Sequence, residues 1–92
     1  MQAKYLVCYD IADNARLARV YRMMKDRGLH LQLSVFLCSL TWPELGEIKR
    51  ALSELIDHAQ DDVRIYPLPT AGAITALGRG DRAPDGVSLH LP

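Results

Sequence analysis

Residues 29–40 read Leu-His-Leu-Gln-Leu-Ser-Val-Phe-Leu-Cys-Ser-Leu, and the way this stretch divides decides the fold. Apolar side chains recur at every second position from Leu29 to Leu37, and this period of two predicts β-structure. Twelve residues is long for a single strand. Two arrangements therefore stay open: one continuous strand, or two strands separated by a bulge or bend near Gln32–Ser34.

Before this stretch, the sequence predicts a strand followed by a helix. Residues 4–10 read Lys-Tyr-Leu-Val-Cys-Tyr-Asp, whose apolar, β-branched and aromatic side chains predict a buried strand that ends on Asp10. Asp13 or Asn14 is suited to cap the helix, and Gly28 is placed to end it in a left-handed conformation. An acid at a strand end beside a basic helix is a candidate site for a metal ion and a phosphodiester.

After this stretch, the sequence predicts a second helix and up to three more strands. Thr41 and Glu44 form a capping box at the helix start, and Asp61-Asp62 end the helix. Its apolar stripe consists of Leu45, Ile48, Leu52, Leu55, Ile56 and Ala59. Further strands are predicted over residues 63–68, 73–77 and 87–91, with a loop at 78–86.

The order of these elements favours an α+β fold of the ferredoxin-like type. If residues 29–40 form two strands, the order is β-α-β-β-α-β, in which two helices cover one face of an antiparallel sheet, with C-terminal strands added. A continuous strand would instead give β-α-β-α-β-β-β. We expect residues 1–78 to form the ferredoxin-like domain, and residues 79–92 to form a loop and strand associated with a dimer mate or another partner. The bare apolar face predicts a homodimer that packs sheet on sheet.

The length and the cysteines narrow the class of protein. A chain of 92 residues is one domain. The sequence contains no run of about 18 apolar residues and therefore predicts no membrane span. The N-terminus lacks a signal-peptide layout. Cys8 and Cys38 lie in strand patterns rather than in a Cys-x-x-Cys pair. We therefore expect buried free thiols, a cytoplasmic location and no membrane partner.

The net charge is zero, but the charges are unevenly distributed. Residues 16–27 carry five basic side chains and one acidic side chain, 5 − 1 = +4, whereas residues 41–62 carry two basic and six acidic ones, 2 − 6 = −4. A basic surface for nucleic acid is therefore compatible with a neutral total. The alternative is that both segments are solvated helix faces.

The order and spacing of several segments carry a family resemblance. The segments are Tyr5–Ile11, Asn14, Arg16, Arg19-Val20, Gly28, Gln32–Cys38 and Val63–Leu68. Together they resemble the small CRISPR-associated protein two family, the compact nuclease-like subunit of the spacer-acquisition machinery. Residues 69–92 match this family only loosely.

The resemblance implies a ferredoxin-like fold and a homodimer whose two sheets face each other. It also implies that Asp10 meets its dimer mate across the twofold axis and binds a divalent ion, Mg²⁺ or Mn²⁺. Two separable roles follow from it. One is a metal-dependent endonuclease acting on RNA or DNA, and the other is a structural bridge between CRISPR integrase subunits that holds the DNA to be inserted.

Several side chains near Asp10 have predicted roles in such a site. Tyr9 and Ser34 are candidate catalytic residues, since each can hydrogen-bond to phosphate or water. Arg16 and Arg19 are candidate nucleic-acid contacts, because guanidinium groups neutralise phosphates and the charge that develops in the transition state. The structural alternatives are that Asp10 accepts hydrogen bonds from the following turn, that Tyr9 belongs to the core, and that the arginines are solvated.

Other apolar side chains are expected at an interface. Phe36 is predicted to pack between the two subunits or to stack near a base, with core packing as the alternative. Val87, Leu89 and Leu91 alternate along the last predicted strand and are assigned to the same interface.

Three functions stay open at this point. The first is a dimeric, magnesium-dependent endonuclease that hydrolyses phosphodiester bonds, and the sequence favours it. The second is a non-catalytic scaffold of the spacer-integration complex. The third is a toxin-type ribonuclease related to the same family.

Overall fold

A computed structural model describes residues 1–69 of the chain. The elements are β1 (Ala3–Asp10), α1 (Asn14–Lys25), β2 (Leu29–Gln32), β3 (Val35–Leu40), α2 (Trp42–Leu55) and β4 (Asp62–Pro67). The α+β fold of the ferredoxin-like type is therefore confirmed. The strands predicted at 73–77 and 87–91, the loop between them and the predicted boundary at 78/79 lie outside the described residues. Neither helix of residues 1–69 is long and apolar enough to cross a membrane.

The four strands form one antiparallel sheet in the order β2-β3-β1-β4. The stretch that decided the fold is divided: β2 and β3 form a hairpin joined at residues 33–34, and their register is irregular between His30 and Gln32. Strand β1 is paired with β3 up to Cys8 and with β4 up to its last residue, so β4 places Asp10. Asp10 lies opposite Asp62 of β4, and the Tyr9 N–H donates to the Ser34 carbonyl at 3.1 Å.

Helix α1 begins as predicted and ends by a different mechanism. Asp13 is the N-cap, and its carboxylate accepts from the Arg16 N–H at 2.9 Å. The helix ends at Lys25, and Gly28 lies outside the left-handed region, so the predicted left-handed end is wrong. A Cβ at Gly28 would lie 2.5 Å from the Cys38 Sγ. The glycine is therefore needed for a close approach to β3 rather than for its backbone angles.

Helix α2 confirms the predicted capping box but ends earlier than predicted. The Thr41 N–H donates to Glu44 at 2.8 Å, and the Glu44 N–H donates to the Thr41 hydroxyl at 3.3 Å. The helix ends at Leu55 instead of at Asp61-Asp62, so Ile56 is its C-cap and Ala59 lies beyond it in an exposed turn.

The early end of α2 has a local cause in two hydrogen bonds. In a continued helix, the Asp57 N–H would donate to the Ser53 carbonyl. Here the Asp57 N–H donates to the Asp61 carboxylate at 2.8 Å, and the Ser53 carbonyl lies 2.8 Å from the His58 Nε2, which must be the donor. Side chains thus replace the next helical bond, and the chain turns toward β4.

The core lies between the two helices and one face of the sheet. Its buried members are Val7, Tyr9, Ile11, Val20, Met24, Phe36, Cys38, Leu40, Leu45, Ile48 and Leu52. The stripe predicted for α2 is thus confirmed at its first three positions, Leu45, Ile48 and Leu52, and Leu55 and Ile56 pack partly buried against the same core. A smaller cluster forms around Leu31 and Leu37 on the opposite face, with Leu6, Val35 and Leu68 packed against it. We call this second side of the sheet the uncovered face, because both helices pack on the other side.

Candidate active site

Asp10 is the last residue of β1, and its side chain is exposed. Successive residues of a strand point to opposite faces, and Val7 and Tyr9 lie in the helix-covered core. Asp10 is therefore on the uncovered face, in line with Leu6 and Cys8. Its carboxylate takes part in no ion pair within residues 1–69. This is the arrangement expected of a carboxylate that is available to a ligand.

The turn after Asp10 is held by a different acid, Asp61. The Asp61 carboxylate accepts from the Ala12 N–H at 2.9 Å and from the Asp57 N–H at 2.8 Å. It also accepts from the Arg16 Nε at 2.8 Å and from its Nη2 at 3.1 Å. The structural alternative predicted for Asp10 was that its carboxylate accepts from this turn. At Ala12 the N–H donates to Asp61 instead.

Asp61 is fully enclosed, with 0% of its side chain exposed. Hydrogen bonding from Arg16 is the main cause that holds the pKa of Asp61 well below its usual range, and the N–H groups of Ala12 and Asp57 add to it. The carboxylate is therefore ionised and fixes the β1–α1 loop, the end of α2 and the start of β4 to one another. The sequence interpretation missed this residue, which it placed at the end of a helix.

Arg16 has a structural role that sequence analysis did not predict. Its guanidinium forms a two-point ion pair with Asp61, and 21% of its side chain is exposed. Asp61, first by its hydrogen bond, raises the pKa of Arg16. The pairing uses two of the five donors of Arg16, and its contact with nucleic acid stays a prediction. Arg19 is exposed on α1, and its contact with nucleic acid stays a prediction.

Tyr9 and Phe36 lie in the core, on the side of the sheet away from Asp10. Phe36 is completely buried, stacks on His30 at 4.8 Å between ring centroids and lies 6.2 Å from Tyr9. It has no surface for a second subunit or a base to cover, so the interface role predicted for it is corrected. The alternation of a strand is the physical reason, since neighbours of an outward Asp10 must point inward.

The Tyr9 hydroxyl is buried and has no hydrogen-bond partner among residues 1–69. Burial first, and then the nearby Tyr21, raise the pKa of Tyr9. The phenol is enclosed on the helix side of the sheet, which favours the alternative that Tyr9 belongs to the core, and its catalytic role stays a prediction. Ser34 is half-buried in the β2–β3 turn beside the end of β1, and its catalytic role stays a prediction.

The uncovered face brings two further charged residues next to Asp10. Asp62 lies directly opposite Asp10 across the β1–β4 pair, and Arg64 lies opposite Cys8, diagonal to Asp10. The Arg64 Nε donates to the Asp62 carboxylate at 3.0 Å. Sequence analysis assigned no role to either residue. Val87, Leu89 and Leu91, which were predicted at the interface, lie outside the described residues.

The donor set of this site fits a hard divalent cation with an incomplete protein shell. Residues 1–69 contain no group of three or more His, Cys, Asp or Glu side chains that could hold a metal ion. Mg²⁺ in nucleotide-processing sites commonly has only one or two carboxylate ligands, with waters and phosphate oxygens completing its shell. Asp10 meets that requirement, whereas Asp62 is already paired with Arg64. Asp10 is thus the residue that would hold Mg²⁺ or Mn²⁺.

Comparison with known proteins shows which family and which solved structures this chain is similar to. The family model described as CRISPR associated protein Cas2 matches residues 3–73. The chain is 56% identical over 89 residues, 97% of this chain and 98% of the relative, to "CRISPR-associated endoribonuclease Cas2 2" of Thermodesulfovibrio yellowstonii. A crystal structure of the hypothetical protein TT1823 from Thermus thermophilus aligns with TM-score 0.79 and 38% identity, covering 85% of this chain and 93% of that one. Streptococcus pyogenes Cas2, solved at pH 6.5, aligns with TM-score 0.70 and 36% identity over 74% and 88%.

Proposed function

This chain belongs to the Cas2 family of CRISPR-associated proteins, and on that premise we propose that it is a metal-dependent endonuclease of the CRISPR adaptation machinery. The preferred substrate class is RNA, because the relative that shares 56% of its residues is named an endoribonuclease. The observation that carries the proposal is Asp10, an exposed carboxylate without an ion-pair partner in residues 1–69, at the end of β1 and next to a loop that Asp61 holds in place.

In this proposal, Asp10 holds the divalent ion and the rest of the site positions the substrate. The bound ion would polarise a phosphoryl oxygen and lower the pKa of a water. Asp61 keeps the β1–α1 loop, which follows Asp10, fixed by accepting from Ala12 and Arg16. A loop fixed before binding loses less conformational freedom when the substrate is held, which favours an in-line geometry.

The proposal includes a homodimer formed through the uncovered face. Leu31 and Leu37 are already buried on that face, but the large side chains Leu29 and Tyr66 remain exposed on the same side. Covering Leu29 and Tyr66 with a second copy would remove apolar area from water. Two Asp10 carboxylates brought together in this way would repel, and a shared cation would relieve that repulsion. A cytoplasmic location, where the two free cysteines stay reduced, is part of the same proposal.

A second candidate function is a non-catalytic scaffold that bridges CRISPR integrase subunits. It is favoured by the position of the residues predicted to assist Asp10, since the candidate catalytic Tyr9 lies in the core and the candidate nucleic-acid contact Arg16 is paired with Asp61. Among the residues of the candidate active site, Asp10 is then the one acid that remains for a catalytic role. The toxin-type ribonuclease has less support, because both the family model and the relative carry CRISPR-associated names.

Cleavage assays with one isosteric variant test the proposed activity. Labelled single-stranded RNA and duplex DNA are incubated with wild type, Asp10→Asn and the control Glu54→Gln, each with Mg²⁺, with Mn²⁺ and with chelator. Glu54 is an exposed acid on α2, on the helix side of the sheet. We expect wild type and Glu54→Gln to cut RNA only with metal, and Asp10→Asn to be inactive.

Each other result has a defined meaning. Equal cutting by Asp10→Asn would exclude Asp10 as the metal ligand. Absence of cutting by wild type would favour the scaffold. In that case, purified integrase should bind wild type and Asp10→Asn equally, and charge reversal at Arg19 should weaken the complex.

A further inference from the structure

A row of three polar side chains runs along β4 on the uncovered face. Asp62, Arg64 and Tyr66 are two residues apart, so they share one side of the strand. Across the β1–β4 pair they lie opposite Asp10, Cys8 and Leu6, respectively. The row therefore starts at the proposed metal ligand, and its central member is a guanidinium.

Arg64 is paired with one neighbour in this row. The Arg64 Nε donates to the Asp62 carboxylate at 3.0 Å. The guanidinium has five donors, and the bond to Asp62 uses one of them. In the single subunit, 65% of the Arg64 side chain is exposed, so the other donors of the planar fork remain accessible.

Stability alone gives a poor account of this arrangement. Like charges directly opposite each other on a sheet are unfavourable, and Asp10 and Asp62 occupy such a pair of positions. An exposed ion pair such as that of Arg64 and Asp62, 65% and 60% exposed, gains little in water. A ligand explains this arrangement of charges better. The Asp10 carboxylate would bind a cation, and the guanidinium of Arg64 beside it would bind a phosphate.

We propose that Arg64 binds a phosphate of the nucleic acid at the Asp10 centre, and that Asp62 orients it for that contact. This inference rests on the proposed function, since it assigns the substrate's phosphate to a named donor of the same site. The chemistry is the two-point recognition of phosphate oxygens that suits the flat fork of arginine. Arg64 would also supply a positive charge near Asp10, since Arg16 is paired with Asp61.

RNA binding tests this proposal independently of cleavage. Binding of a fluorescent single-stranded RNA is followed by anisotropy in chelator, at several salt concentrations. The proteins are wild type, Arg64→Gln, Arg64→Lys, Asp62→Asn and the control Arg50→Gln. Arg50 is an exposed arginine on α2, so its change alters the net charge equally on the other side of the sheet.

We expect Arg64→Gln to weaken binding about 10-fold and to reduce the slope of log affinity against log salt by about 0.7, the value for one single-strand phosphate contact. Arg50→Gln should stay within about twofold of wild type. Arg64→Lys should retain the salt slope, because the charge remains, but should bind more weakly because the planar fork is lost. Asp62→Asn should weaken binding less than Arg64→Gln does.

Where wild type cleaves RNA, Arg64→Gln should lower kcat by about 100-fold, as for loss of one transition-state donor. The Mg²⁺ concentration for half-maximal activity should stay unchanged, which separates Arg64 from a metal ligand. If wild type binds RNA but does not cut it, the proposed nuclease fails, whereas the phosphate contact is still decided by the salt slopes.

Two outcomes would overturn the assignment of Arg64. One is an equal effect of Arg64→Gln and Arg50→Gln on affinity and salt slope. The other is a change of oligomeric state in Arg64→Gln, measured by light scattering, that accounts for the whole loss of binding. Circular dichroism at matched concentration confirms that each variant is folded.

Discussion

Gly28→Ala places one methyl group where the end of α1 passes β3. The added Cβ would lie 2.5 Å from the Cys38 Sγ and 2.7 Å from the Leu37 carbonyl oxygen. Ordinary van der Waals contact begins at 3.4 Å, so the methyl group is 3.4 − 2.7 = 0.7 Å too close to the backbone atom. The backbone of β3 cannot yield easily, because that strand is paired on both sides, with β1 and with β2. Over-packing of this kind costs about 1–3 kcal/mol.

We therefore expect Gly28→Ala to lower the free energy of unfolding by about 2 kcal/mol, or the Tm by roughly 10 °C for a domain of this size. Urea unfolding followed by circular dichroism measures it, at one protein concentration because any dimer would make stability depend on concentration. The matched control is Gly46→Ala, inside α2, where an added Cβ meets nothing within 4 Å. That change should raise stability by about 0.5–1 kcal/mol, since glycine is a poor helix former.

A double mutant separates the two obstacles. Cys38→Ala removes the sulfur but leaves the Leu37 carbonyl in place, so Gly28→Ala should still be destabilising in that background, by less than in wild type. Wild-type stability of Gly28→Ala would refute the close-approach explanation. Full relief by Cys38→Ala would refute the role given to the β3 backbone.

Two further predictions concern titratable groups. The folded-state pKa of Asp61 is depressed, mainly by Arg16, so the stabilisation from Asp61 is present above the unfolded pKa of about 4 and is lost as the pH falls below it. The free energy of unfolding should therefore fall more steeply on the acid side in wild type than in Asp61→Asn. Parallel curves for the two proteins would contradict this. Burial raises the pKa of Cys38 to about 11, whereas Cys8 is half-buried on the uncovered face. A thiol reagent at pH 8 should label Cys8 first and Cys38 only on unfolding, and mass spectrometry of Cys8→Ala, which should stay unlabelled while folded, checks the order.

Local signals in the sequence were sufficient for most of the fold. The alternation of residues 29–40, the capping residues Asp13 and Thr41, and the strand ending at Asp10 each have a counterpart in the structure. The predicted end of α2 was wrong although its cause is local in the chain: the side chains of His58 and Asp61 take over the bonds that would have continued the helix. Apolar periodicity alone cannot reveal such competition between side chains and backbone.

The candidate site was predicted less completely than the fold, for two reasons. Tyr9 was grouped with Asp10 by sequence proximity, although the alternation of a strand already separates them onto opposite faces. Asp61 and Arg64 were missed because their relation to Asp10 depends on the pairing of β1 with β4, which lies about 50 residues away along the chain. Once a ferredoxin-like order is assumed, the first and last strands are antiparallel neighbours. The start of the last strand must then lie beside the end of the first.

That pairing gives three acids at one end of the sheet three different environments. Asp61 is enclosed, and Arg16 and two backbone N–H groups satisfy it. Asp62 is exposed, and Arg64 balances its charge. Asp10 is exposed and has no counter-ion among residues 1–69. Because a carboxylate opposite another carboxylate is unfavourable unless a cation is near, Asp10 is the position where a bound cation would gain the most. The fold thus pairs Asp61 and Asp62 with arginines and leaves Asp10 without a counter-ion among residues 1–69, as the proposed metal site requires.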